Sequence, residues 1–226
     1  MRQGRHIILN FHGIGTPHDR VDASERPYWI GEDMFRAIVD RVSARPDADS
    51  VRWTFDDGNR SDLVVGARVL AEREKSGAFF LLTGRFDDPH YVSCDDARAL
   101  VSMGMEVGLH GRDHVDWRQV PRWQLDSETV EARDLLADVV GQPINGVAIP
   151  FGAYNRTVIA HLKDCGFDHI YTSDGGSCHP DDRIVNRTSV REDMSLAHID
   201  AILDDDVPIK RRVKRRISTT LRRHFL

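Results

Sequence analysis

Short apolar runs alternate along the chain with longer segments whose apolar residues recur at helical spacing. The short runs predict strands at residues 7–11, 51–55, 78–82, 105–109, 147–149 and 169–172. The periodic segments predict helices at residues 32–42, 61–74, 93–103, 125–140, 155–165 and 195–203. This alternation is typical of parallel β-structure with crossover helices, in an α/β barrel or a doubly wound sheet.

Polar residues and one proline-glycine segment follow the ends of several predicted strands. His12, the pair Asp56-Asp57, His110 and the segment Pro150-Phe151-Gly152 each stand directly after an apolar run. In both architectures the catalytic and ligand-binding residues cluster at the carboxyl ends of the strands. We therefore predict a single shared site built from these residues.

The stretch Thr54-Phe55-Asp56-Asp57-Gly58 places two carboxylates at the end of a strand. Neighbouring strand residues point to opposite faces, so adjacent acids share one site only where the strand breaks. Gly58 supplies the backbone freedom for that break. Two carboxylates held together bind a cation, pair with an arginine, or have one pKa raised. The pair is therefore the candidate centre of the site.

His110 and His114 are four residues apart. On a helical turn this spacing puts both imidazoles on one face, close enough to share a metal ion. Two histidines and one carboxylate form a common ligand set for a divalent metal, with positions left open for water. An isolated pair at this spacing is more often solvated, but the acid pair at another strand end favours a joint site.

Together these motifs resemble the polysaccharide deacetylase family, carbohydrate esterase family 4. Residues 54–58 match the first family motif, and His110 with His114 match its histidine pair, although Gly111 stands where the family usually has Ser or Thr. Residues 149–152 match the Pro-aromatic-Gly core of the third motif. The resemblance covers residues 12–187 and implies an α/β fold, a distorted (β/α) barrel.

The resemblance also implies roles for individual residues. The metal, usually zinc in the family but in principle another divalent ion, would be held by Asp57, His110 and His114. Asp56 would be the general base. The substrate would meet the third motif and the aromatic residue that follows it, through Pro150, Phe151, Gly152 and Tyr154. Packing of Tyr154 in the core is the competing interpretation.

The chain departs from the family pattern at the residues that support acid and base catalysis. Ala148 stands where the family often has an arginine that orients the base, and we predict that Arg187 replaces it. A plain surface arginine is the competing interpretation. The candidates for the general acid are His12, at the end of the first strand, and His198, which lies in a weak Leu-x-His motif and could equally be a helix-surface histidine.

Charge is unevenly distributed. The chain carries −5, but residues 210–226 contain eight Lys or Arg and no acid, so the remainder carries −13. An acidic body is unlike that of a general nucleic-acid binder. We predict a catalytic domain at residues 1–205 and a basic tail at residues 206–226. In the tail, four apolar residues fall on one helical stripe: Val213, Ile217, Leu221 and Phe225. A basic helix with such a stripe could contact an anionic membrane peripherally, or it could dock on the acidic body.

The resulting expectation is a metal-dependent hydrolase that removes an N-acetyl group from an amino sugar, a glycan precursor or a related acylated amine. Three widely spaced cysteines and no recognised export signal favour the cytoplasm, with the tail at the inner membrane surface. Two alternatives stay open: a hydrolase of another non-peptide C–N bond, and a catalytically weak relative that binds a glycan. The sequence does not predict an oligomeric state.

Overall fold

Eight parallel strands form one sheet that curls into a nearly closed barrel, which confirms the predicted fold. The computed structural model describes residues 4–206 and 217–223. In chain order the strands are β1 Ile7–Phe11, β2 Val51–Phe55, β3 Ala78–Leu81, β4 Glu106–Leu109, β5 Gly146–Ala148, β6 His169–Thr172, β7 Ile184–Asn186 and β8 Thr188–Ser189. Their order in the sheet is β7-β6-β5-β4-β3-β2-β1-β8.

One short segment, residues 184–189, joins the two edges of the barrel. Its first half, β7, pairs with β6, and its second half, β8, pairs with β1. Arg187 alone separates the two halves. Neither half was predicted as a strand, since runs of three and two residues carry little periodic signal. The closure therefore places Arg187 between β6 and β1.

Helices cover the outside of the barrel where the periodic segments predicted them. They are α1 Glu32–Ser43, α2 Arg68–Ala71, α3 Cys94–Ser102, α4 Arg122–Asp126, α5 Ala132–Val140, α6 Arg156–Asp164 and α7 Leu196–Leu203. A π-helical turn at Asp62–Ala67 leads into α2, and a second at Ser127–Glu131 joins α4 to α5. Short 3₁₀ turns lie at Arg26–Tyr28, Ala48–Ser50, Thr83–Arg85 and Pro150–Gly152.

Local sequence explains several of these boundaries. The side chain of Ser93 accepts a hydrogen bond from the Asp96 backbone N–H, and the Asp96 side chain accepts one from the Ser93 N–H, so a capping box starts α3. The predicted helix at 61–74 ends earlier, at Ala71, and Glu74 has a φ of 55° that a helix does not allow. A left-handed Gly141 ends α5.

The strands separate the main apolar layer under the helices from a barrel interior that combines buried polar residues with a small apolar cluster of Ala78, Phe80 and Ala148. On the helix-facing side Phe11 stacks on Phe55, with ring centroids 5.4 Å apart, inside the main hydrophobic core. On the inner side Asn10 and Thr54 lie opposite each other in the register of β1 and β2, and both are buried. Because strand side chains alternate, the same two strands build the core and line the site.

The predicted tail falls only partly within the described residues. Ile217 and Leu221 belong to a helix at residues 217–223, called here the tail helix, whereas Val213 and Phe225 lie outside the described residues. No helix within 4–206 or 217–223 is long and apolar enough to cross a bilayer. The division into a domain at 1–205 and a tail at 206–226 stays a prediction.

Candidate active site

Three side chains predicted as metal ligands converge at the carboxyl ends of β2 and β4. Asp57 Oδ1 lies 3.3 Å from Nε2 of His110 and 3.3 Å from Nε2 of His114. All three side chains are largely buried, and Asp57 Oδ1 makes no hydrogen bond in the structure. A buried carboxylate oxygen facing two imidazole nitrogens is a donor set suited to a divalent cation.

An oxygen atom faces the far side of each imidazole. His110 Nδ1 donates to the backbone carbonyl of Ala148 at 2.9 Å, and His114 Nδ1 lies 3.2 Å from Glu25 Oε1. With a proton on Nδ1, each ring presents the lone pair of Nε2 towards Asp57. The hydrogen bond to Ala148 O therefore fixes the His110 tautomer with Nε2 free towards Asp57, and the Glu25 carboxylate favours the same tautomer in His114.

The two histidines converge through a loop, and the predicted helical turn is wrong. Residues 110–114 have no helical structure, and Gly111 and His114 have φ values of 102° and 55°. The buried carboxylate of Glu128 accepts hydrogen bonds from the N–H groups of Arg112 and Asp113 and so fixes this loop. A Cβ at position 111 would lie 2.8 Å from Glu128 Oε2, which explains the glycine at this position.

The acid pair makes the site attractive to cations. Burial alone would raise the pKa of Asp57, but His114, His110 and His12 outweigh it and lower that pKa. Burial alone would lower the pKa of His110, but Asp56 and Asp57 outweigh it and raise that pKa. The negative charge of the pair thus draws a proton or a metal ion to the same place.

Arg187 holds Asp56 through two hydrogen bonds. Its Nη1 donates to Asp56 Oδ1 at 2.6 Å and its Nη2 donates to Asp56 Oδ2 at 2.7 Å. The guanidinium is fully buried, 5.3 Å from the ring centre of Phe80 and 5.6 Å from that of Tyr171. Although burial raises the pKa of Asp56, Arg187 and the neighbouring histidines lower it overall. The structure therefore brings Arg187 to Asp56, the predicted base, whereas Ala148 carries no guanidinium.

Asn10 is a contact of Asp56 that was not predicted. Its Nδ2 donates to Asp56 Oδ2 at 3.0 Å, and its Oδ1 accepts from Thr54 Oγ1 at 2.7 Å and from Arg187 Nη1 at 2.9 Å. The sequence contained one indication of this contact, since Asn10 is a polar residue inside the otherwise apolar run of β1. Glu25, which faces His114, lies in a polar loop and carried no such signal.

His12 lies at the edge of the same cluster. Its Nε2 is 3.8 Å from Asp56 Oδ2, and its ring centre is 4.9 Å from that of Tyr28. Burial lowers the pKa of His12, against the opposing effect of Asp57 and Asp56. The buried Nδ1 of His12 makes no hydrogen bond in the structure. His12 is thus the candidate acid that the fold brings to Asp56.

The structure places two other predicted residues differently. His198 is exposed on α7, where its Nδ1 accepts from the Ser195 N–H, and α7 packs on α1 outside the barrel. It is therefore not brought to Asp56. Tyr154 is buried, and its hydroxyl donates to Asp174 Oδ2 at 2.6 Å; burial, followed by that hydrogen bond, raises the pKa of Tyr154 to about 12. It packs rather than facing an open groove.

Phe151 is the exposed member of the third motif. Its side chain is 58% exposed, its ring centre is 4.2 Å from that of His114, and its φ is 58°. Pro150 before it is buried, and Gly152 after it has a φ of 59°. The motif therefore holds one aromatic ring at the mouth of the site, beside a predicted metal ligand.

The fold belongs to the deacetylase class of (β/α) barrels. A Streptococcus pyogenes deacetylase, PplD, solved in complex with acetate, aligns with a TM-score of 0.75 at 18% identity, over 90% of this chain and 99% of that chain. A polysaccharide deacetylase from Bacillus cereus also aligns with a TM-score of 0.75, at 16% identity, over 88% of this chain and 69% of that chain. At sequence identities of 18% and 16%, the structural similarity to these two proteins establishes the fold alone.

The sequence itself places the chain in a family. The family model described as polysaccharide deacetylase matches residues 43–170, more than half of the chain, so this protein belongs to the polysaccharide deacetylase family. A Bacillus subtilis (strain 168) protein named as a polysaccharide deacetylase, YxkH, is 18% identical over 208 residues, 88% of this chain and 74% of that protein. Members of the family are hydrolases that act on C–N bonds.

Proposed function

We propose that this protein is a metal-dependent deacetylase that hydrolyses the N-acetyl amide of an amino sugar, a glycan precursor or a related acylated amine. One observation carries the proposal: Asp57 Oδ1 faces two imidazole Nε2 atoms at 3.3 Å, beside a second carboxylate, Asp56, that is held by Arg187. Family membership supports the reaction class.

Asp57, His110 and His114 would hold the metal, for which we propose zinc. Carboxylate and imidazole donors suit zinc, and three protein ligands leave a position open, as in catalytic zinc sites. When bound there, a divalent metal lowers the pKa of water and polarises a carbonyl oxygen. The acceptors behind the two histidines, Ala148 O and Glu25, hold the ligands ready for it.

Asp56 would take the proton of the attacking water. Arg187 and Asn10 fix the orientation of its carboxylate, and Arg187 favours the ionised form that accepts a proton. The backbone N–H of Phe151, at the mouth of the site, would donate to the oxyanion. His12, beside Asp56, would take up the proton that Asp56 accepted from water and deliver it to the departing amine.

We further propose that the protein works in the cytoplasm on a precursor molecule. The three cysteines, Cys94, Cys165 and Cys178, are free thiols in the structure, which supports a reducing compartment. A fractionation experiment with an antibody to the intact chain would test the location.

The reaction is tested by measuring acetate and free amine released from N-acetylglucosamine oligomers, with added Zn²⁺ and with a chelator. We expect turnover that the chelator removes. Asp56→Asn should lower kcat about 10²–10⁴-fold, the range for loss of a general base, while metal stays bound. Asp57→Asn should lose both metal and turnover, and His198→Gln serves as the control that keeps both.

Two results would contradict the proposal. Bound metal without turnover of any acylated amine would favour a glycan-binding relative. Turnover with a product other than acetate and an amine would identify a different C–N bond.

A further inference from the structure

The tail helix is attached to the body of the protein by two arginines. Arg222 Nη2 donates to Asp174 Oδ1 at 2.6 Å. Arg223 Nη2 donates to Asp174 Oδ2 at 3.1 Å and to Asn186 Oδ1 at 2.7 Å. The Asp174 side chain is only 2% exposed, whereas the side chains of Arg222 and Arg223 are 32% and 21% exposed, so the carboxylate of the pair is shielded from water and the guanidinium groups are partly solvated. Charge-assisted hydrogen bonds in such a setting orient the helix firmly.

The attachment point lies at the catalytic end of the barrel. Asp174 follows the carboxyl end of β6, and Asn186 ends β7. The Arg222 guanidinium lies 5.0 Å from the ring centre of Tyr154. Tyr154 comes three residues after Phe151, whose ring contacts His114. The tail helix therefore sits beside the mouth of the candidate active site.

The apolar side of the tail helix faces outward. Ile217 is 57% exposed and Leu221 is 45% exposed, and their four-residue spacing puts them on one face. Arg222 and Arg223, by contrast, point to the barrel and are partly buried. A helix that merely covers a water-soluble body turns its apolar side inward. This helix does the reverse.

We propose that the outward face of the tail helix binds an anionic lipid surface and thereby presents the mouth of the site to the membrane. Charge complementarity supports this partner: residues 210–226 contain eight basic residues and no acid, while the rest of the chain carries −13. Arg222 and Arg223 pair with Asp174, and the other six basic residues precede Ile217 in the sequence. An anionic surface attracts the tail and repels the body, so only the catalytic end turns towards it.

A lipid surface also fits the size of the patch better than a protein partner does. A stable protein interface buries about 800 Å² on each side, which two aliphatic side chains and one exposed Phe151 do not supply. An interfacial helix requires only a short apolar stripe with basic residues around it. The inference rests on the proposed function in one respect. If the deacetylase works at a membrane surface, the acylated amine that it hydrolyses is carried on a lipid.

Vesicle co-sedimentation of the full chain tests the proposal. Vesicles of phosphatidylcholine alone are compared with vesicles containing phosphatidylglycerol, at low and high salt. We expect binding to the anionic vesicles that weakens as salt rises. The double variant Ile217→Asp with Leu221→Asp should bind at least tenfold more weakly.

A matched control makes the same change of charge on other helices. Val64 and Leu135 are 40% and 49% exposed, so Val64→Asp with Leu135→Asp should change binding less than twofold. Equal binding by both double variants, or no preference of the wild type for anionic vesicles, would overturn the proposal. A dimer in light scattering that only the tail variant dissociates would assign the face to self-association instead.

Hydrolysis of a soluble N-acetylated sugar is measured on the same samples. The tail variant should keep the wild-type rate in solution. If the wild type hydrolyses nothing yet binds anionic vesicles, the proposed function fails while the membrane inference stands. If it hydrolyses the sugar and ignores the vesicles, the membrane inference fails alone.

Discussion

Three residues of the site carry side chains on left-handed backbone. Asp57, His114 and Phe151 have φ values of 72°, 55° and 58°. Each such residue costs roughly 1–3 kcal/mol, so the surroundings must hold it in place. At His114 the support includes Glu25 and the loop that Glu128 fixes. The strain lies at two of the proposed metal ligands and beside them, as is common at functional sites.

Gly111 offers a direct test of that support. We expect Gly111→Ala to reduce the free energy of unfolding, because a Cβ there would be strained at φ 102° and would press on Glu128 Oε2. Gly141→Ala is the matched control, since it has a φ of 71° but open space around the added carbon. Denaturant titration should show a loss of about 1–2 kcal/mol for the control and roughly 1–3 kcal/mol more for Gly111→Ala. Equal losses would mean that Glu128 does not constrain the loop.

The pairing of Arg187 with Asp56 makes a second prediction at the level of residues. Arg187→Met leaves a buried carboxylate without its partner, and we expect it to destabilise the protein by about 3–5 kcal/mol. Adding Asp56→Asn removes that charge and should restore part of the loss. Denaturant titrations of the wild type, both single variants and the double variant form the cycle that measures the coupling. Additive losses would show that the two side chains do not depend on each other.

Among the elements, the closing segment 184–189 explains how Arg187 reaches Asp56, the proposed base. Because β7 pairs with β6 and β8 pairs with β1, the residue between them lies inside the ring of strands. Its side chain then extends past Asn10 on β1 to reach Asp56 at the end of β2. A long-range strand pairing, rather than a local motif, thus supplies the arginine that the third motif lacks.

A buried histidine links α6 to the π-helical turn before α5. The Thr129 hydroxyl donates its proton to Leu125 O. His161 Nε2 lies 2.8 Å from Thr129 Oγ1, and because that hydroxyl has no second proton, His161 is the donor of this hydrogen bond. Burial and the charge of Arg122 lower the pKa of His161, although Asp126 and Asp164 oppose this. His161 is therefore held neutral in the folded protein.

The neutral His161 predicts a loss of stability in acid. Its folded-state pKa is below the unfolded value of about 6.5, so its contribution is present above pH 6.5 and is lost as pH falls. One linked proton costs at most about 1.4 kcal/mol per pH unit. We expect His161→Gln to lose less stability than the wild type between pH 7 and pH 5 in denaturant titrations. His198→Gln, on an exposed site, should behave as the wild type, and identical slopes in all three proteins would refute the assignment.

For the whole molecule, metal binding should be visible as stability. A ligand that binds only the folded state at 100 times its Kd adds about 2.7 kcal/mol, and each kcal/mol moves the Tm of a chain this size by roughly 2–4 °C. We expect Zn²⁺ to raise the Tm of the chelator-treated wild type, measured by differential scanning calorimetry. Asp57→Asn should show no such rise, while His198→Gln keeps it. A rise that Asp57→Asn retains would place the metal elsewhere.

The sequence by itself determined the alternating strands and helices, the acid pair at residues 56 and 57 and the histidine pair at 110 and 114. These signals are local, since apolar periodicity and strand-end motifs depend on neighbours in the chain. The position of Arg187 in a late segment was also enough to propose it as the replacement for the arginine absent at Ala148. Such patterns cannot specify which distant groups meet.

Only the tertiary structure decided the partners of those residues. Asn10 and Glu25 reach Asp56 and His114 through contacts between segments far apart in the chain. The tertiary structure also set the loop conformation at residues 110–114, buried Tyr154 and kept His198 on the outer surface. The tail stripe was visible in the sequence, but its outward direction follows from Asp174, a buried anion that orients the helix through Arg222 and Arg223.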